Sequence, residues 1–398
     1  MNMIQNVSEL ELKRAIASED INFLAFPVTP WAAHGVEAFI YSKKKEDVRL
    51  KGYVCIVEHG KAGYLLDEKH FMLKNSEIQI VKFVASKDEN ILKKIERKIE
   101  LWKFLCQNQK GSDEIYILNQ GTPNYEWHSI AKKLKPNCNV HSVIIDEGIG
   151  MYMREKKEWL NENLLMATGL KNKCSAFLML VVKQPLMEAI VKKKREVESF
   201  CLFEKSFGRL QENKSVILSY KNIICQDSQA ISDEHRKLYD NAIVINTQPF
   251  IEYNQVTMDE DLKWIKIICN TCKRNNVKVV LKPHPREKKI NRYSKIDNCW
   301  IDVNNEISQE SIMSQLNRKP FLLIGFSSTT LITEKLFEGI TAVSLTKCVN
   351  YNNFAESILG DFKAFARTFS DSVILPNNEE ELITIIKKEI GCSMEGEE

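Results

Sequence analysis

A histidine held between two prolines, in Lys282-Pro283-His284-Pro285-Arg286, ends the apolar β-branched run Val277 to Leu281. The run has the length of a buried parallel strand, and the prolines stop it and stiffen the backbone on either side of the imidazole. Open α/β sheets bind ligands at the carboxyl ends of their strands, which is where His284 falls. With Lys282 and Arg286 adjacent, the turn suits an anion such as a phosphate; the bland alternative is a strand-end histidine that packs or caps. A second stretch, Ser327-Ser328-Thr329-Thr330, lies between the apolar run Pro320 to Gly325 and a helical pattern from Leu331 to Phe337. Capping a helix needs one hydroxyl, whereas four beside the helix's free N–H groups make an anion cradle. A third stretch, Asp146-Glu147-Gly148-Ile149-Gly150, follows the run Val140 to Ile145. It offers carboxylates at a strand end, with glycines that permit tight turning or close approach of a ligand. Adjacent acids point in different directions, so one of the two faces a substrate; a helix cap or solvated turn is the plain reading.

A phosphate site in one half and a carboxylate at a strand end in the other are the parts of a glycosyl transfer. The carboxylate takes a proton from an acceptor hydroxyl as it attacks the anomeric carbon, while the histidine stabilises or protonates the departing phosphate. A nucleoside monophosphate could leave in this way without Mg²⁺. The chain has neither a Walker-type loop nor a G-x-G-x-x-G fingerprint, which argues against ATP hydrolysis and dinucleotide redox chemistry.

The elements that must position these groups follow an alternation of strand and helix. Ile21 to Val28 is a first strand, Thr29-Pro30-Trp31 ends it, and Ala32 to Ile40 begins a helix. Tyr53 to Glu58, Ile78 to Phe83, Glu114 to Asn119 and Val140 to Ile145 are further strands, with an amphipathic helix from Asp88 to Gln107. In the second half, Ala242 to Ile245, Val277 to Leu281, Trp300 to Val303, Pro320 to Gly325, Thr341 to Leu345 and Val373 to Leu375 are strands. Met258 to Asn275, Leu331 to Phe337 and Glu379 to Ile390 are helices. Between the halves, Met151 to Ser215 reads as helical and cationic, with 13 Lys plus Arg against 8 Asp plus Glu, including Lys192-Lys193-Lys194-Arg195. That segment could lie on an anionic membrane surface or line a groove for an acidic polymer; a solvated helix face is the simpler alternative. The expected architecture is α/β, with two Rossmann-like domains facing across a cleft: an N-terminal acceptor-binding domain over 1–215, which includes the basic segment 151–215, and a C-terminal nucleotide-sugar-binding domain over 216–398.

The 398 residues suffice for two or three cores, and 44% hydrophobic with 27% charged residues is the composition of a globular protein. A net charge of +3 gives no reason to expect a nucleic-acid partner. No apolar run approaches the roughly 20 residues of a membrane span, and the first twenty residues lack a secretion signal, so the expected location is cytoplasmic. The 11 cysteines follow no metal-binding spacing and read as free thiols, so no metal site is expected.

In order and spacing, Asp146-Glu147-Gly148, Lys282-Pro283-His284-Pro285 and Ser327-Ser328 resemble the acidic-glycine, His-Pro and double-serine motifs of bacterial sialyltransferases with the GT-B fold. The nearest likeness is to the capsular polysialyltransferases and the lipooligosaccharide sialyltransferases. The strand-Thr-Pro-helix opening and Thr247-Gln248-Pro249 are also similar, so the resemblance runs from about residue 20 to 345. It implies Glu147 as general base with Asp146 in support, and His284 as the acid or phosphate-stabilising group. It further implies Ser327 and Ser328 on the phosphate, beside which the cationic turn and the hydroxyl run already set Lys282 and Thr329, and Ser308 with Glu310 on the nucleoside. The implied donor is CMP-N-acetylneuraminic acid and the implied acceptor a glycan or polysialic acid. The implied reaction is inverting and needs no metal or cofactor; a capsular polysialyltransferase is favoured because the basic segment 151–215 could both guide a polyanionic acceptor and touch the inner face of the membrane. Competing readings are a lipooligosaccharide sialyltransferase, another GT-B transferase of polymer synthesis, and a non-enzymatic regulator that binds a glycan or nucleotide.

Overall fold

A computed structural model describes residues 4–18, 21–58, 65–72, 77–84, 114–153, 197–206, 209–226, 231–304 and 307–394. The chain forms two compact units, Met1–Ile223 and Ile224–Glu398.

The first unit is built on strands β1 (Asn6–Ser8), β2 (Phe23–Phe26), β3 (Gly52–Ile56), β4 (Ile78–Val84), β5 (Glu114–Gln120), β6 (Asn139–Ile145) and β7 (Val197–Phe200). They form one sheet in the order β1-β4-β3-β2-β5-β6-β7, with every pair parallel. Its helices are α1 (Glu9–Ser18), α2 (Pro30–Lys45), α3 (Tyr125–Leu134) and the short α4 (Gly150–Met153). A hairpin of β8 (Phe203–Ser206) and β9 (Arg209–Glu212) precedes α5 (Lys214–Gln226), and the division between the units falls inside α5. Strand β2, Phe-Leu-Ala-Phe, is buried throughout, as a strand covered by helices on both faces must be. Thr29 caps α2 by accepting the Ala32 N–H at 3.3 Å, and Pro30 occupies the first turn, where a missing N–H costs nothing. The chain runs outward from β2 to β4, then returns to β5 and runs the other way, so the sheet's switch point lies between β2 and β5. Gln120 bridges that point: its Oε1 accepts the Val28 N–H at 3.2 Å.

The second unit holds β10 (Ile243–Asn246), β11 (Val279–Lys282), β12 (Cys299–Ile301), β13 (Leu322–Gly325) and β14 (Ala342–Ser344), in the order β12-β11-β10-β13-β14 and all parallel. Its helices are α6 (Asp233–Tyr239), α7 (Met258–Arg274), α8 (Gln309–Ser314), α9 (Thr329–Glu338), α10 (Glu356–Thr368) and α11 (Glu379–Met394). Here the switch point lies between β10 and β13. Ile243, Ile245, Val279, Leu281 and Ile324 share one buried core cluster with Trp264, Ile265, Ile268 and Cys269 of α7. Each such side chain contributes about 1.5–3 kcal/mol by burial.

The strands and helices expected among the described residues fall within a few residues of their positions; α3, α5, α6 and α10 have no counterpart among them, and three further differences follow. The stretch expected to be helical from 151 to 215 carries β7, β8 and β9 in its described part. Phe200, Cys201, Leu202 and Phe203 are buried there, an apolar cluster masked in the sequence by the surrounding charge. Val373 to Leu375 contributes one bridge, Val343 to Ile374, in place of a strand. The polar lead-in folds as β1 and α1, with Leu12 and Ile16 fully buried. The helix expected over 88–107 and the basic run 192–195 lie outside the described residues. Among the described residues no helix is long and apolar enough to cross a membrane.

Candidate active site

In the first unit, strand β6 delivers Asp146 and Glu147 to very different environments. Asp146 is fully buried and accepts from the Trp31 indole N–H at 3.0 Å, the Gly148 N–H at 2.6 Å, the Leu202 N–H at 3.1 Å and the Tyr152 hydroxyl. Its carboxylate therefore ties β6 to the first turn of α2, to α4 and to the segment after β7, and it has no capacity left for a substrate. Trp31 is in turn stacked on Tyr220 of α5, with ring centroids 5.0 Å apart. Glu147 is exposed, and its carboxylate lies over the bare Cα of Gly121, just beyond β5 at the switch point. A Cβ on Gly121 would sit 2.1 Å from Glu147 Oε2, and Gly121 has φ +69°, so both its backbone and its missing side chain make room for this acid. Gly148, with φ +99°, lets the chain turn sharply after the pair.

In the second unit, the Pro-His-Pro turn follows β11 and rests on a buried glutamate. Glu287 accepts from the His284 N–H at 2.9 Å, the Tyr293 hydroxyl at 2.8 Å, Arg292 Nη2 at 2.6 Å and the Thr247 hydroxyl, which lies just beyond β10. Arg292, only 4% exposed, also binds Asp261 at 2.9 Å and Glu252 at 3.3 Å. Burial pushes the Asp261 carboxyl up to about 6, with the nearby Glu287 adding to the rise and Arg292 opposing it. The acidic run Asp259-Glu260-Asp261 opens α7, where acids suit a helix N-terminus. Its Glu260 is held by Trp264 Nε1 at 3.3 Å and Asn353 Nδ2 at 2.7 Å. No group of three His, Cys, Asp or Glu among the described residues is placed to hold a metal ion.

The Arg286 N–H donates to His284 Nδ1 at 3.1 Å, which leaves the ring proton on Nε2. Burial first, then the charge of Arg286, push the imidazole down to about 4, with Glu252 opposing. At neutral pH His284 is therefore an uncharged N–H donor. A phosphate docking against Nε2 would draw the pKa back up. In the unliganded protein we expect the His284 ring signals in NMR to titrate near about 4 as the Nε2–H tautomer, in place of the ordinary 6.5; a midpoint near the ordinary value would remove this assignment. Between those two values the unfolded chain binds a proton that the folded chain refuses, so this group lowers stability as pH falls through that window.

The remaining candidates divide. Ser328 is the N-cap residue of α9 but makes no side-chain capping bond, and Ser327 and Ser328 are half-buried, so both hydroxyls lie at the amino end of a helix, the kind of place that suits an anion. Thr329 begins the helix. Phe326 anchors this loop by packing on Phe250 and Phe362, with centroids 5.0 and 5.4 Å away. Lys282, expected beside the phosphate, has its ammonium on Asp302 at 2.9 Å and on the Asn304 carbonyl; Asp302 is shared with Tyr239 and His235. Ser308 caps α8 by accepting the Ser311 N–H at 3.1 Å. Glu310 is buried and accepts the Thr333 hydroxyl of α9 at 2.8 Å; burial holds its carboxyl above the usual range. The second sheet thus gathers His284, Ser327 and Ser328 at its carboxyl end, while Lys282, Ser308 and Glu310 are engaged within the protein. Sequence reasoning missed Glu287 and Arg292; the signal was the acid three residues beyond His284, the spacing at which a side chain folds back on its own turn.

Residues 23–347 match the model of the alpha-2,8-polysialyltransferase family. No curated protein sequence matches the chain. Among solved structures, a Listeria monocytogenes protein assigned as a UDP-N-acetylglucosamine 2-epimerase is similar over 94% of this chain and 88% of its own, at 12% identity and a TM-score of 0.50. An alpha/beta-galactoside alpha-2,3-sialyltransferase from Photobacterium phosphoreum is similar over 94% of this chain and 99% of its own, at 12% identity and a TM-score of 0.44. The GT-B domain of a Photobacterium damselae sialyltransferase is similar over 89% and 99%, at 13% identity and a TM-score of 0.38. The likeness to the Listeria protein concerns the fold alone, and it is the family match, over well more than half the chain, that carries identity. The chain belongs to the alpha-2,8-polysialyltransferase family and is a glycosyltransferase, a sialyltransferase.

Proposed function

We propose that this sialyltransferase moves sialic acid from CMP-N-acetylneuraminic acid to a sialylated glycan, with inversion and without a metal, and so extends a polysialic acid of the capsular kind. Glu147 is the general base: it takes the proton of the acceptor hydroxyl as that oxygen attacks the anomeric carbon. Asp146 is a positioning residue, which fixes the strand end by its four hydrogen bonds. As the bond from the anomeric carbon to the phosphate oxygen breaks, charge grows on the departing CMP. His284 meets it with Nε2–H, and Ser327, Ser328 and Thr329 meet it with hydroxyls and the amino end of α9. Lys282, Ser308 and Glu310 shape the nucleotide's surroundings through the bonds they make to Asp302, Ser311 and Thr333.

The observation that carries this reading is the His284 ring, which accepts the Arg286 N–H at Nδ1 and so presents Nε2–H, at the same sheet edge as a helix amino end that lacks a side-chain cap. Both are suited to a phosphate whose charge increases during reaction. The cationic stretch 151–215 supports a polyanionic acceptor and work at the inner face of the membrane. The test is incubation of the protein and a short α2,8-linked sialic acid acceptor with CMP-sialic acid or with several UDP-sugars, read by mass spectrometry. Extension by sialyl increments from CMP-sialic acid is expected. Extension from a UDP-sugar, or none from CMP-sialic acid, would overturn the proposal.

A further inference from the structure

At the carboxyl end of the central strand β10, the Asn246 side chain is only 6% exposed, yet neither its Nδ2 nor its Oδ1 has a hydrogen-bond partner. Buried amides are ordinarily satisfied, and one left open in a native fold calls for an explanation. Its neighbours supply one. Asn246 pairs with Lys282 of β11, and the pairing of Ile245 with Ile324 brings it beside Gly325, the last residue of β13. These two strand ends flank the second sheet's switch point, where parallel sheets receive ligands. A Cβ on Gly325 would lie 3.1 Å from the Asn246 carbonyl oxygen, 3.5 Å from its Cβ and 3.7 Å from Leu331 of α9, so the glycine lets the end of β13 pass close to both Asn246 and the first turn of α9. Directly after Gly325 the chain passes through Phe326, Ser327 and the uncapped Ser328 into α9, a helix of 10 residues. Lys282, the other neighbour in the row, already has its charge on Asp302, so Asn246 is the member of this row with polar atoms to spare.

We infer that Asn246 is a donor-binding residue, whose side-chain N–H donates to a phosphate oxygen of the nucleotide held at the amino end of α9. The inference rests on the CMP-sugar reading and adds to it a neutral hydrogen-bond donor beneath the phosphate. An amide suits that position better than a second lysine would, because it binds the phosphate without holding a departing CMP by full charge.

Calorimetric titration of the full chain with CMP and with cytidine tests this, because the two probes differ by the phosphate alone. Asn246→Ala is expected to weaken CMP by about tenfold, the size of one hydrogen bond to a charged group, and to leave cytidine unchanged. Asn246→Asp, of nearly the same shape, is expected to weaken CMP further, because it sets a carboxylate against the phosphate. In the unsubstituted protein labelled with ¹⁵N, the Asn246 side-chain amide signal is expected to shift with CMP and not with cytidine, a measurement that depends on no variant folding. CMP affinity within twofold of the unsubstituted protein in Asn246→Ala, equal losses for both probes, or an amide signal indifferent to CMP would each overturn the inference and leave the donor reading standing. Failure of the unsubstituted protein to bind CMP would remove both.

Discussion

Glu147→Gln is expected to lower sialyl transfer by about 10²–10⁴-fold, the usual contribution of a positioned general base, with CMP affinity and unfolding temperature unchanged. The shape is conserved, so the side chain still fits over the bare Cα of Gly121, and Glu147 is exposed, so little folding energy rides on its charge. What the amide cannot do is accept the acceptor's proton. Asp146→Asn serves as the contrast. That carboxylate is buried among four donors, so its loss should appear first as lowered stability and only through it as lowered activity. Transfer by Glu147→Gln within threefold of the unsubstituted protein would take the base role from this residue.

Glu287→Ala is expected to cost about 3–5 kcal/mol of stability in the second unit, because it breaks one ion pair of a buried cluster. Arg292 keeps Asp261 and Glu252, but the His284 N–H, the Tyr293 hydroxyl and the Thr247 hydroxyl lose their common acceptor. The Pro-His-Pro turn is thereby released from its support, so CMP binding should fall together with urea resistance. Glu287→Gln, which can still accept from His284 but no longer pairs with Arg292, should lie between. A Glu287→Ala protein that unfolds at the same urea concentration as the unsubstituted one would show that the turn is held by its prolines alone.

The placement of His284, Ser327 and Ser328 at one sheet edge was legible in the sequence because each sits where an apolar run stops, and a parallel sheet sends every such stop to the same edge. The partners of Lys282 and Asp146 were not, for a shared reason. A charged residue at a strand end looks the same in sequence whether it meets a ligand or a partner, and Asp302, Trp31 and Leu202 are brought in by the tertiary fold. Gly121 gave no sign of its closeness to Glu147, since strand register, absent from the linear sequence, brings β5 beside β6. Strands β7 to β9 were hidden by the charge of the segment around them, and α1 by a lead-in whose few apolar residues, Leu12 and Ile16 among them, fall on one buried face.

The most direct test of sialyl transfer by this chain is a single-turnover quench of CMP-sialic acid with an excess of protein and a short sialylated acceptor, counting free CMP and extended acceptor in the same sample. The transfer reading predicts that the two appear together in equal amounts, and that both appear about 10²–10⁴-fold more slowly in Glu147→Gln even though the donor remains bound. CMP released without extended acceptor, or extension at an undiminished rate in Glu147→Gln, would contradict it.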